Sequence, residues 1–521
     1  MKMRSVLEDS FFKNIKNFGA VGDGVTDDTD VIQNALNLAK IEGSVNILFP
    51  PGRYKVTRKL IIYKNTYLKL SSSSVILRSH TASIMQNGVD GSMYKGYNGE
   101  GNIFIEGGVF DGNLINYNFE CSGFSLSHAE NIRLKGVTIK DIYAGHALDL
   151  SGTKNILIED CSFIGYRDRP DQSRNYSEAI QIDIQTAGGF PAFGEHDNTV
   201  TKDVVVRNCY FGASGTQNTM SWGCAIGHHA SVRDIFPNHI KILYNTFDGC
   251  TYRALRILKF KDVLIEGNLF KSCFGAINVA ASSNDSQASE SILINNNIID
   301  GTIGNISPVS INGVERALTK NVQIKNNTFK NLNNAIGGAI YVNFCESMNI
   351  SENFFFDTSR ALWVRNSENI TFKANNIDIT SLEMVYAQSS KNFNCISNTV
   401  KETKRIGINL ERIDRGVIRN NLIEKCGTET LNTRSGIFIG TESSNLKVME
   451  NIILKSSNSY GVQVTVTCSN IQLTNNDVDG ITGKVLLPSE VGFDGIYITS
   501  PNGSMYKMTV NNSGQVSVTQ V

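Results

Sequence analysis

Proline is scarce: 8 in 521 residues. No Ser/Gly-rich or charged run divides the chain into regimes of composition, so no stretch reads as a linker. An excess of either charge is also missing, since 49 Lys+Arg balance 49 Asp+Glu. Nucleic acids and anionic membranes are gripped by clustered cations, so neither partner is expected. No run of ~18 apolar residues occurs, which excludes a bilayer-spanning helix. The start, Met1 to Ser10, lacks the apolar stretch of a signal peptide, so ordinary secretion is not expected. The ten cysteines form no Cys-x-x-Cys pair, so a zinc ribbon is not expected. They read as reduced, small apolar fillers of a core, and neither a metal nor another cofactor is expected.

What the chain does contain begins with a turn-rich stretch, Asn17 to Asp30. An amphipathic segment follows, with Ile32, Ala35, Leu36 and Ala39 on one face. Thr26, Asp27 and Asp28 suit a helix start, so turn and cap chemistry accounts for them. Then come a strand, a turn and a second strand over Asn46 to Val56.

From Ile105 to Val478 the chain repeats itself. The unit is an apolar residue, two variable positions, often Asn, one variable position and another apolar residue, as in Ile242 to Phe247 or Ile324 to Phe329. The last apolar residue falls at 110, 139, 163, 211, 247, 270, 299, 329, 355, 377, 400, 423, 453 and 478. Most intervals are 22 to 30 residues, but 163 to 211 is 48 and 211 to 247 is 36. Asn245, Asn268, Asn297, Asn327, Asn353, Asn375, Asn398, Asn421, Asn451 and Asn476 hold one place in consecutive repeats. Asn tolerates a left-handed bend, and stacked amides can hydrogen-bond along a ladder. Short β segments without helices predict an all-β fold, a single-stranded right-handed parallel β-helix. The expected division is an N-terminal module (1–60) whose helix caps the first rung, the β-helix (61–480), and an antiparallel β tail (481–521). That tail, with strands near Tyr497, Met505 to Val510 and Gln515 to Thr519, either closes the last rung or pairs between subunits.

The two long intervals coincide with residues capable of acid–base chemistry. His146 to Leu150, Glu178 to Asp183, Ala225 to His229 and Tyr252 to Lys259 each alternate apolar with polar residues, as half-buried strands do. Counting back from the apolar marker puts Asp149, Arg256, Tyr341 and Trp363 in one outward column, with Gln181 or Asp183, then His229, on the same face. Rungs ~4.8 Å apart would bring carboxylates near glycosidase separations. The candidate catalytic carboxyls are Asp183 and Glu178, with Asp149 as a substitute for either. His229 and Arg256 are candidates for holding substrate. His228 has the apolar parity and is expected in the interior or at the rim, and otherwise as a substrate contact. Lys259, with Lys261, is most simply surface charge, and otherwise a substrate contact. Tyr341 and Trp363 are candidate sugar platforms. The loop Phe190 to Asn198 offers aromatics for sugar stacking and Asp197 as another acid.

Phe18-Gly-Ala-Val-Gly-Asp-Gly-Val-Thr-Asp-Asp-Thr29, a helix, and then Phe49-Pro-Pro-Gly-Arg-Tyr54 resemble the start of pectate-lyase-like β-helix proteins, in a version common in bacteriophage tailspikes. Asn502 to Val510 is similar to the ends of phage tail proteins. The resemblance implies a homotrimeric virion protein that cuts a bacterial surface polysaccharide outside the host cell, beside other virion tail proteins. Gly227-His-His229 and Arg256-Ile-Leu-Lys259 are similar to the site of family-28 glycoside hydrolases, but that family's paired aspartates are absent. Hydrolysis of a capsule, exopolysaccharide or teichoic acid is the expected reaction. The alternatives are a polysaccharide lyase, with Arg256 or Lys259 as base on a uronate polymer, and a receptor-binding spike without catalysis.

Overall fold

The computed structural model describes residues 11–228, 230–282, 286–454, 457–487, 496–501, 503–510 and 513–520. Its fold is a parallel β-solenoid that divides into two compact units, Met1–Leu293 and Ile294–Val521. Each coil contributes short strands that pair in parallel with their counterparts on neighbouring coils.

In the first unit, helix α1 (Thr29–Glu42) buries Thr29, Ile32, Ala35, Leu36 and Ala39. Asp28 stands at its N-cap position without capping by its side chain. Its carboxylate accepts instead from the Val21 and Gly22 amides at 2.6 and 2.9 Å, tying down the glycine turn. Asp23 likewise accepts from the Val25 and Thr26 amides. These aspartates are structural.

One face of this unit is built from β1 (Phe124–Ser127), β2 (Leu148–Ser151), β3 (Glu178–Asp183), β4 (Cys224–Gly227), β5 (Arg253–Leu258) and β6 (Ile277–Ala280). Each pairs with the next in parallel. Leu148, Ile180, Ile226 and Leu255 follow one another in register and are fully buried. On another face Phe163, Phe211, Phe247 and Phe270 stack with ring centroids 4.8–5.0 Å apart. Burying each ring contributes up to about 3 kcal/mol, and repetition at the rung spacing makes the core a column rather than a cluster. All ten cysteines are buried and none is in a disulfide.

In the second unit the corresponding strands are β7 (Val309–Asn312), β8 (Ile340–Asn343), β9 (Leu362–Arg365), β10 (Val385–Ile396), β11 (Ile408–Arg419) and β12 (Ser435–Gly440), again in parallel register. Asn327, Asn353, Asn375, Asn398, Asn421 and Asn451 each donate from Nδ2 to the Oδ1 of the next ladder asparagine at 2.9–3.0 Å. That same Oδ1 also accepts the backbone amide of the preceding asparagine. One expectation needs correction. The left-handed residue at the bend is not the ladder asparagine but the one before it: Asn326, Glu352, Ala374, Ser397, Asn420, Glu450 and Asn475. At the ladder position asparagine is used for its amide, not for its backbone tolerance.

The tail is a three-stranded antiparallel sheet of β13 (Ile496–Thr499), β14 (Met505–Val510) and β15 (Val516–Gln520). The expected turn residues Asn511 and Asn512 lie outside the described residues.

Candidate functional site

Three carboxyls meet on β2 and β3. The register sets Asp149 opposite Gln181 and Ser151 opposite Asp183. Glu178 enters at the head of β3, opposite Cys224. Glu178 and Asp183 are fully buried, whereas Asp149 retains 8 % exposure. Burial, then the nearby charges of Asp183 and Glu178, hold the Asp149 carboxyl well above the usual carboxylate range; Ser151 and Arg174 oppose this without cancelling it.

Asp183 is fixed from several directions. Gln181 Nε2 donates to its Oδ2 at 2.5 Å and the Ile184 amide to its Oδ1 at 2.7 Å. His228 Nδ1 lies 3.1 Å from Oδ1. His228 is fully buried, on the interior parity of its strand, with its ring 5.7 Å from that of Phe260.

Glu178 lies between a guanidinium and an imidazole. Arg256 Nη1 is 3.8 Å from its Oε1, and His146 Nδ1 is 3.7 Å from its Oε2. Gly227 makes the first approach possible: a Cβ there would stand 2.8 Å from Arg256 Cβ and 3.3 Å from Glu178 Cγ. Arg174 donates from Nη2 to His146 Nε2 at 3.2 Å. The imidazole therefore carries its hydrogen on Nδ1, which donates to the Glu178 carbonyl at 2.9 Å. The Arg174 and Arg256 guanidinium carbons lie 5.8 and 5.5 Å from the Tyr176 ring centroid, within cation–π range. Arg256 is about a quarter exposed, and its Nη1 makes no hydrogen bond among the described residues. Acidic, basic and aromatic groups thus converge: a carboxyl of raised proton affinity, two fully buried carboxyls beside it, and guanidinium groups beside those.

The register settles the two rungs that insertions had obscured. Asp149, Gln181, Gly227 and Arg256 stand in one column, and Asp183 is one step along, opposite Ser151. His229 lies outside the described residues. Lys259 is not the surface charge expected: it is 1 % exposed, and its Nζ donates to the Val232 carbonyl and Gln287 Oε1. Phe190 and Phe193 are also buried, packing edge to face at 5.0 Å, so neither presents a ring to a sugar. The reason is the loop's anchoring against residues 91–97, where Asp197 accepts from the Gly96 amide, the Thr199 amide and the Thr199 hydroxyl. Burial opposes ionisation of Asp197, but these hydrogen bonds outweigh it and hold the carboxyl below its ordinary range. In the second unit Tyr341 pairs with Trp363, and Trp363 with Tyr386.

His146, Arg174 and Tyr176 were missed as site residues. His146 opens one of the segments already singled out, while Arg174 and Tyr176 lie in the longest insertion, where periodicity gives no guidance. Among the described residues no group of three or more His, Cys, Asp or Glu is disposed to hold a metal ion.

Comparison with known proteins follows the same division. A right-handed β-helix model matches residues 309–478. Plasmin and fibronectin-binding protein A of Streptococcus pneumoniae is 32 % identical over 284 residues, 49 % of this chain and 39 % of that protein. The chain therefore spans well under half of that relative's length. The capsule K30/K69-specific depolymerase of Klebsiella phage K64-1 is 30 % identical over 141 residues, 21 % of this chain and 18 % of that one. Among solved structures, the pneumococcal surface adhesin PfbA matches with a TM-score of 0.47 at 20 % identity, covering 98 % of this chain and 100 % of that one. The tailspike of Escherichia coli bacteriophage HK620 in complex with a pentasaccharide matches with a TM-score of 0.47 at 12 % identity, covering 99 % and 93 %. A model described as rhamnogalacturonase A/epimerase, pectate-lyase-like, matches residues 12–278. With just over half its length so matched, the chain belongs to the rhamnogalacturonase A/epimerase, pectate-lyase-like family.

Proposed function

We propose that the protein hydrolyses glycosidic bonds in a bacterial surface polysaccharide, as a phage tail-associated depolymerase. The observation that carries this reading is the convergence on adjacent rungs of Asp149 with the fully buried Asp183 and Glu178, where burial and their charges raise the proton affinity of Asp149. A carboxyl whose proton affinity is raised by burial and by neighbouring charges can protonate a departing sugar oxygen. Sequence reasoning gave the two acid–base roles to Asp183 and Glu178 with Asp149 in reserve; the exposure and pKa of Asp149 favour it as the acid. Asp183 or Glu178 then serves on the water side. Arg256 supports the charge that develops, and His146 and Arg174 position Glu178. The similarity to a phage capsule depolymerase supports the substrate class.

New reducing ends from purified host surface glycan, without near-ultraviolet absorbance, would establish hydrolysis. An unsaturated, absorbing product would favour the lyase reading, with Arg256 rather than the occupied Lys259 as base. A second reading, a binding protein without catalysis, draws on the complete burial of Asp183 and Glu178 and on the likeness to plasmin and fibronectin-binding protein A. It predicts tight glycan binding with neither product.

The working form in this proposal is a homotrimer. From Ser500 to Gln520 no described side chain is fully buried, and a small three-stranded sheet is marginal alone. Light scattering should give three times the 57.2 kDa chain mass; a single-chain mass would contradict it.

A further inference from the structure

We infer that the second unit carries a glycan-gripping platform of its own, centred on Trp363 and Tyr386, which takes the carbon–hydrogen face of a neutral hexopyranose chain. It deepens the proposed function by naming how the polymer is held, yet it uses none of the carboxyls. On successive strands Tyr341, Trp363, Tyr386, Asn409 and Phe438 stand in one register column. The Trp363 and Tyr386 rings are nearly parallel, 15° apart with centroids at 5.8 Å, and Tyr341 meets Trp363 edge-on at 5.3 Å. All three are half-buried, so each keeps part of its side chain open to solvent. Phe438 leans over Gly440, where a Cβ would come within 2.4 Å of its ring. Any other residue at 440 would push that ring off the face.

Apolar faces alone would not select sugar over protein. Polar groups between the rings do. Asn409, in the gap between Tyr386 and Phe438, is 8 % exposed, and its Oδ1 has no hydrogen-bond partner among the described residues. Trp363 Nε1 and Arg365 Nε are in the same condition. Unsatisfied polar atoms cost stability unless a ligand completes them, and a sugar's hydroxyls supply both donors and acceptors. The charges nearby are balanced: Arg360 donates to Glu383 at 2.6 Å and lies over the Trp363 and Tyr386 rings at 5.3 and 5.6 Å. Glu411 accepts from the Tyr386 hydroxyl at 3.0 Å, and the cationic Arg365 lies over the Trp363 ring at 5.7 Å. Balanced charge gives no preference for an acidic sugar, which is why the ligand is assigned as neutral.

The chain has 2 tryptophans, and Trp222 is fully buried in the first unit, so Trp363 reports on the platform. Intrinsic fluorescence should be titrated with dextran, galactan and mannan, separately from any cleavage assay. At least one should shift the emission and protect it from acrylamide quenching. Trp363→Phe should abolish the optical signal. Calorimetry with Trp363→Ala, Tyr386→Ala and Asn409→Leu should show binding weakened about tenfold or more, the size of one lost stacking or hydrogen-bonding contact. Asn409→Leu keeps the volume, and unchanged circular dichroism would separate lost recognition from misfolding. No response to any of the three polymers, or full-strength binding by both the Tyr386 and Asn409 variants, would overturn the platform. Cleavage of host glycan without such binding would leave the hydrolase reading standing. Binding without cleavage would do the reverse.

Discussion

The Asp183 carboxyl and the His228 imidazole face each other at 3.1 Å with both side chains fully buried. Asp183 is thereby fixed opposite Ser151, diagonal to Asp149, where its charge acts on a neighbour that is slightly more open. Asp183→Asn and Glu178→Gln should each remove one of the charges that raise Asp149. The alkaline limb of the pH–rate profile should then move to lower pH, with rate losses of roughly 10²–10⁴-fold where the carboxylate also activates water. An unmoved limb in both variants would separate Asp149 from its neighbours.

Asp149 should also cost the fold stability above the acid range. Its folded pKa lies above the ordinary value of 3.8, so the folded protein binds this proton more tightly than the unfolded chain does. The contribution to stability is present below about pH 4 and is lost as pH rises toward the raised value, by about 1.4 kcal/mol per unit of elevation. Asp149→Asn should therefore raise Tm at pH 8 and change it much less at pH 3.5. A uniform shift at both pH values would contradict the sign.

Asn353 belongs to the scaffold. Its Nδ2 donates to the Ile324 carbonyl and Asn375 Oδ1, and its Oδ1 accepts the Asn327 amide. Asn353→Ala leaves that buried amide unpaired, so stability should fall by about 1–3 kcal/mol in denaturant unfolding. Turnover per folded molecule should be unchanged.

The fold was legible because its repeat is chemical as well as periodic. An apolar marker and a buried amide recur together, and only stacked coils give both a use. The face column was legible wherever nothing is inserted between strand and marker. Asp149, Arg256, Tyr341 and Trp363 each stand 14 residues before their marker, and so do Tyr386 and Asn409, which the same count would have found. Gln181 stands 30 residues before Phe211 and Gly227 20 before Phe247, because loops intervene. Fixed counting lands on Asp197 instead of Gln181. Lys259 was misread for a different reason: a lysine is buried when carbonyl and amide oxygens surround its ammonium, and those come from residues 232 and 287, which no local pattern connects.

The central claim is that Asp149 donates the proton in glycosidic hydrolysis. The direct measurement compares wild type with Asp149→Asn, both folded and at equal concentration, on one purified host surface polysaccharide, reading products by mass and reducing ends by rate. The account predicts hydrated oligosaccharides from wild type and a loss of roughly 10²–10⁴-fold in the variant. Undiminished cleavage by Asp149→Asn, or intact polymer after prolonged incubation with wild type, would contradict it.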